Sequence, residues 1–154
     1  MMTRQALRAI TVLILPVLFG FGPCGPISGT DLEGQVVTKQ ISDFQFVSNV
    51  EHCALEVSDG KAHSVTVNCW SVGKQLFIGC QDCDGKKWSS IIQSSPSARV
   101  KIDSKVYPVI ATRMQDTGAI KRAWGYRWEK YEEGELEPVP VGYWLFHMRS
   151  NGRT

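Results

Sequence analysis

From residue 35 onward the chain breaks into short β-rich runs separated by turn signals, and this punctuation limits what it can fold into more than any other feature. The runs are 35–41, 44–47, 51–57, 64–71 and 75–80. Residues 51–57 (EHCALEV) and 64–70 (SVTVNCW) flank Ser58-Asp59-Gly60-Lys61, a turn-forming cluster, so the pair reads as a hairpin. Val72-Gly73-Lys74 joins the next two runs in the same way, which gives a meander. Asp84 stands where an N-cap is wanted for a helix over 85–95, with Trp88, Ile91, Ile92 and Ser95 on one face and Pro96 ending it. Strands resume at 98–103 (ARVKID) and 105–113 (KVYPVIATR), turned at Ser104. A second helical pattern covers 116–131, where Ile120, Trp124, Trp128 and Tyr131 form a stripe expected to pack on the sheet. The acidic, proline-bearing stretch 132–142 reads as a solvated connection, and 143–149 (YWLFHMR) as a closing strand. The expected class is mainly β (α+β), antiparallel strands with two helices.

With 154 residues, 43% hydrophobic and 21% charged, the chain has material for one ordinary globular core. Its five cysteines are too few for a disulfide-dense miniature scaffold. No apolar run reaches the roughly 18 to 20 residues of a membrane-spanning helix, which excludes a polytopic membrane protein. Basic residues number 17 and acidic ones 15; setting aside Arg4 and Arg8 of the leading segment leaves 15 of each. A neutral body without a basic tract has no electrostatic footprint for nucleic acid.

Those two arginines precede an uncharged apolar stretch at 9–22 (AITVLILPVLFGFG), the layout of an export signal. Pro23-Cys24-Gly25-Pro26 follows, and a cysteine at that spot resembles the acylated cysteine of bacterial lipoproteins. Phe21, Gly22 and Pro23 stand where those signals carry Leu-(Ala/Ser)-(Gly/Ala). The expectation is an exported protein, periplasmic or anchored to a membrane through lipid on Cys24, with an uncleaved anchor and plain secretion as alternatives. The chain then divides into an export segment at 1–24, an N-terminal extension with the first strands at 25–50, and the main domain at 51–154.

Four cysteines remain, an even number in a compartment where disulfides persist. Centring the hairpin near residue 61 places Cys53 opposite Cys69, and opposed strand residues lie about 4.5 to 5.5 Å apart, within disulfide range. The pair reads as a structural bridge or as two small buried hydrophobes. Cys80-Gln81-Asp82-Cys83 has the spacing of a thiol oxidoreductase motif, but Asp82 and Asp84 oppose formation of a thiolate, so a structural disulfide or free thiols are the simpler expectation. No metal site is expected, since His52, His63 and His147 have no ligand spacing to complete a zinc set with that pair.

The order of elements, together with Ser64-Val65-Thr66-Val67-Asn68-Cys69-Trp70, Gln75-Leu76-Phe77-Ile78-Gly79 and Lys87-Trp88 followed by Pro96-Ser97-Ala98-Arg99-Val100, resembles the pyridoxamine-phosphate-oxidase-like superfamily and its deazaflavin-dependent nitroreductase relatives. The resemblance spans roughly residues 50–113 and implies a split β-barrel. It also implies FMN or a deazaflavin as cofactor, hydride transfer to a small organic acceptor, and a homodimer with the cofactor between subunits. By the same resemblance the loop from Gly79 to Trp88 lies at the cofactor phosphate, with Lys86, Lys87 and Trp88 on the phosphate side and Ser64 and Thr66 along the adjoining strand. The two lysines have a physical rationale. Cations in the first turn of a helix are disfavoured by about 0.3 to 1 kcal/mol, and a phosphate bound at the free N–H groups there reverses that sign. Two departures leave open a non-catalytic barrel that binds another ligand or a protein partner. Asp59-Gly60-Lys61-Ala62-His63 replaces the Gly-Arg-x-Ser-Gly turn of many relatives, and Ile91 replaces the usual helix asparagine.

Overall fold

The computed structural model describes residues 31–152, so the expected export segment and Cys24 lie outside the described residues. The elements in chain order are β1 (Gln35–Val36), a 3-10 turn (Gln45–Asn49), β2 (Cys53–Ser58), β3 (Ala62–Val67), β4 (Cys69–Val72), β5 (Gln75–Cys80), α1 (Lys87–Ser94), β6 (Ser97–Ile102), β7 (Lys105–Arg113), α2 (Thr117–Tyr131) and β8 (Trp144–Ser150). The strands form one sheet in the order β3-β2-β6-β7-β8-β5-β4, antiparallel at every step, while β1 pairs in parallel with the start of β7.

The ends of that path decide the architecture. Strands β3 and β4 are its two edges, yet only Asn68 separates them in the chain. Six steps of about 4.8 Å make a flat sheet of this order roughly 29 Å wide, whereas residues two apart lie within roughly 7 Å of each other. The sheet therefore curls until its edges meet, and the result is a split β-barrel whose seam runs between β3 and β4.

This corrects the expected meander. The run 64–71 is not one strand: Asn68 breaks it, and the hairpins β2–β3 and β4–β5 end on opposite edges of the sheet. The expected strands at 35–41 and 44–47 also give way. Strand β8 pairs with β7 only over 109–113, and β1 takes just 105–106 of the edge that remains. Farther on, the apolar residues that resemble a strand are Phe44 and Val47, which the 3-10 turn inserts into the core. Helix α1 begins at Lys87, with Lys86 in the N-cap position and no side chain capping it; Asp84 is not the cap, because Gly85, at φ +90°, turns the chain between them. Asp116, in contrast, caps α2 by accepting from the Ala119 amide at 2.6 Å.

Alternation along the strands sorts the side chains into two layers. Leu76 and Ile78 of β5 and Phe146 and Met148 of β8 point into the barrel, where Leu55, Val100, Val109, Trp88, Ile91 and Ile92 join them. The intervening Phe77 and Leu145 face outward with Trp70 and are covered by Ala123 and Ile120 of α2. Burial on both faces explains why 75–80 reads as a nearly continuous apolar run. On β2, Glu56 stands across from Arg99 of β6 and is almost wholly buried. The two share a bidentate ion pair, 2.6 Å for each bond, and the Leu32 amide donates to the same carboxylate at 2.6 Å.

Both cysteine pairs are disulfides. Cys53–Cys69 joins β2 to the first residue of β4 with Cα atoms 5.8 Å apart, but by a different route from the one expected. Val67, not Cys69, faces Cys53 in the ladder, and the turn at Asn68 brings Cys69 back within reach. Helix α2 docks at the same spot. Tyr131 Oη accepts from the Cys69 amide at 3.1 Å, and Lys130 Nζ donates to the carbonyls of Cys69 and Val47 at 2.6 and 2.8 Å. Burial lowers the Lys130 pKa to about 8.

Candidate functional site

A cleft of about 220 Å³ opens at the barrel seam. It exists because β4 pairs with β5 only as far as Cys69 opposite Ile78, so the last two residues of β5, Gly79 and Cys80, extend past their partner. Thr66, Val67 and Asn68 form one wall, and Gly79, Cys80, Gln81 and Lys86 the other. Trp88 enters from α1, Trp124 and Arg127 from α2, and Tyr143 from the residue before β8.

The loop carrying Lys86 is braced from within. The Cys80–Cys83 disulfide closes it, and the Cys83 carbonyl accepts from the Lys86 amide at 3.2 Å and the Ser89 hydroxyl at 2.6 Å. Lys86 Nζ donates to the Gln81 carbonyl at 2.7 Å, which keeps an exposed ammonium beside the uncapped start of α1. Cys80 and Cys83 are both buried. Their bond braces the loop that carries Lys86.

On the opposite side Arg127 pairs with Glu132 at 3.0 Å and lies over the Trp124 ring, 4.8 Å from its centroid. Trp124 Nε1 donates to the Glu137 carbonyl at 2.7 Å, which holds the connection 132–143 against α2 as a strap beside the cleft. Tyr143 closes the strap, its ring edge-on to Trp124 with centroids 4.9 Å apart. It packs on Gly79 so closely that a β-carbon there would run into the tyrosine hydroxyl and, at 2.8 Å, the tip of the Trp70 indole. Glycine at 79 is thus a requirement of packing. Burial raises the Tyr143 pKa far above that of a free phenol, so the hydroxyl keeps its proton. Neither Tyr143 Oη nor Trp70 Nε1 has a hydrogen-bond partner, although both are buried.

Of the residues singled out in the sequence, Thr66, Gly79, Lys86 and Trp88 line this one cleft, while Ser64 and Lys87 do not. Ser64 shares the outer face of β3 with Thr66 but lies two residues farther along, buried opposite Glu56. Lys87 is exposed on the first residue of α1. Sequence reasoning missed Arg127, Trp124 and Tyr143. Arg127 adjoins the aromatic stripe of α2, one turn after Trp124, and that spacing is its only sequence signal. Among the described residues no group of three or more His, Cys, Asp or Glu side chains is arranged to hold a metal ion.

A curled antiparallel sheet with a seam cleft and two helices defines the split-barrel class. No protein-family model matches the sequence, and no curated protein matches it. Among solved structures, the chain is similar to a candidate pyridoxamine 5′-phosphate oxidase from Listeria innocua, with a TM-score of 0.54 and 14% identity over 68% of this chain and 87% of that one. It is also similar to a candidate 5-nitroimidazole antibiotic resistance protein from Bacteroides thetaiotaomicron (TM-score 0.57, 11% identity, 73% and 82% covered). General Stress Protein 26 from Bacillus anthracis is a third (TM-score 0.51, 15% identity, 66% and 81% covered). At such identities the likeness is one of fold: the chain has the split barrel of these proteins.

Proposed function

We propose that this chain is an exported flavin-nucleotide-binding protein, a homodimer that uses FMN or a deazaflavin to reduce a small organic acceptor. The observation that carries the reading is the convergence of Thr66, Gly79, Lys86 and Trp88 on one cleft, with the Lys86 ammonium beside an uncapped helix start. Lys86 and the first amides of α1 would hold the phosphate. Once Tyr143 moves off it, the backbone at Gly79 would give a ring a flat surface, and the strap would exclude water from one side. The bound cofactor supplies the hydride chemistry, while the protein supplies placement and electrostatics. The cleft is smaller than the roughly 300 to 1,000 Å³ of ordinary ligand sites, which fits a cofactor shared between two chains, each presenting one wall. The leading segment supports export, and Cys24 is the residue that would carry lipid at a membrane.

A second reading has its own support. Tyr143 fills the floor of the cleft, as it would in a non-catalytic barrel that keeps the fold and binds an envelope partner. Titrating the full chain with FMN, FAD and a reduced deazaflavin, followed by fluorescence and thermal shift, separates the two. Saturable micromolar binding is expected. Lys86→Ala should weaken it by roughly 10- to 100-fold, on the scale of one charge-assisted hydrogen bond, and Lys87→Ala by less than twofold. No binding by the folded protein would favour the partner-binding barrel, and equal effects of the two lysines would remove the phosphate assignment.

A further inference from the structure

We propose that the Tyr143 hydroxyl is the hydrogen-bond donor to an acceptor atom on the ligand of the seam cleft, a ring carbonyl or ring nitrogen of a flat heteroaromatic. This makes Tyr143 the residue that selects such ligands. The inference rests on the flavin reading above and goes beyond it by assigning the polar contact to the ring.

Three observations carry it. First, Tyr143 lines the cleft and its hydroxyl is buried behind the lining without a partner, whereas buried side-chain polar atoms in native proteins are nearly always bonded. Phenylalanine would place the same ring against Trp124 and Gly79 without leaving a buried donor unpaired. Second, the hydroxyl rests directly over Gly79, a position in the cleft lining with no side chain, so that its withdrawal would bare backbone that a flat ring can approach. Third, Tyr143 stands outside the strand ladder, its amide donating to the Pro140 carbonyl within the strap at 3.2 Å. It precedes the first residue of β8 and follows Gly142, at φ +76°, at the end of the strap. Turning its ring off Gly79 breaks no ladder pair, opens the space above Gly79 to a flat ring and leaves the hydroxyl at the edge of that space. Burial keeps the phenol protonated, so it donates and does not compete with Lys86 for an anion. Selection follows from the same chemistry: a ligand with no acceptor at that point leaves the hydroxyl unpaired, and a ligand cation there meets a donor.

The test compares the full chain with its Tyr143→Phe variant in FMN titrations, in the visible absorption spectrum of bound FMN, and in thermal unfolding without ligand. The expected result has three parts: Kd for FMN rises about tenfold, on the scale of one hydrogen bond; the bound-flavin spectrum shifts; and the ligand-free variant melts at or above the wild-type temperature. A merely structural role for the hydroxyl would lower that melting temperature and leave the spectrum alone. Equal affinity and identical spectra would overturn the assignment while leaving the flavin reading intact. Failure of the wild-type chain to bind FMN, FAD or deazaflavin would overturn both.

Discussion

Replacing Cys53 and Cys69 together by alanine tests whether the seam is held by its covalent link. The bond spans 16 residues of sequence, which by the loop-closure relation restricts the unfolded chain by about 3 kcal/mol. The same relation gives about 1.5 kcal/mol for Cys80–Cys83, whose separation is 3. The long bond also lies where the helix end is docked, since Tyr131 and Lys130 hold both backbone polar groups of Cys69. Losing it should cost at least its entropic share, a fall in Tm of roughly 10 °C for a chain of this size. Urea unfolding followed by tryptophan fluorescence reads both double variants against wild type. Wild type held in a dithiol reductant keeps the four sulfurs in place and so separates the cross-link from the packing of the side chains. If the Cys53→Ala/Cys69→Ala variant loses no more stability than Cys80→Ala/Cys83→Ala, the bond does not close the seam and the reasoning fails.

Glu56→Ala leaves Arg99 without its bidentate partner and the Leu32 amide without its acceptor, and should cost roughly 2 to 4 kcal/mol in urea unfolding. A loss under about 0.5 kcal/mol would show the pair to be no stronger than an exposed ion pair. His147 stacks on Phe77 with ring centroids 5.2 Å apart, and burial, aided by Arg149, lowers its pKa below 6.5. Well above pH 6.5 the imidazole is neutral in both folded and unfolded chains; as pH falls through 6.5 and then through the lowered folded pKa, the unfolded chain takes the proton first and stability drops. His147→Leu should flatten the stability profile in that window, and an unchanged slope would assign it to other groups.

Much of the fold was legible in the sequence because its signals are local. The hairpin turns at 59–61 and 73–74 announce themselves through Gly60 and Gly73, both at positive φ, and α2 is found to within a residue because Asp116 caps it and its aromatic stripe has helical spacing. What failed was non-local. Residues 35–41 have the composition of a strand, but β1 forms only where it meets the edge of β7 that β8 leaves unpaired, and β8 lies more than a hundred residues away in sequence. The start of α1 is displaced from Asp84 by a loop that a disulfide closes. The break at Asn68 carries no local signal of its own; it is dictated by the need for β3 and β4 to occupy opposite edges of one sheet.

That break also explains which site residues the sequence could reveal. Strands β3 and β4 part at Asn68, β5 outruns β4 at Gly79, and the exposed edge becomes the floor of the cleft. Residues on the parting strands and the loop after them, Thr66, Gly79, Lys86 and Trp88, fall inside the stretch 50–113 where the sequence resembles known split barrels. Arg127 and Tyr143 fall outside it, on a helix and a strap that the barrel presents to the seam from elsewhere in the chain. A ligand at the seam therefore meets residues of the parting strands and their loop together with residues from α2 and the strap. Binding at Lys86 reports on the first set, and the consequences of Tyr143→Phe report on the second. If the first effect appears without the second, the barrel holds the ligand through its strands and loop, and the unpaired hydroxyl is a cost of packing the strap against Gly79.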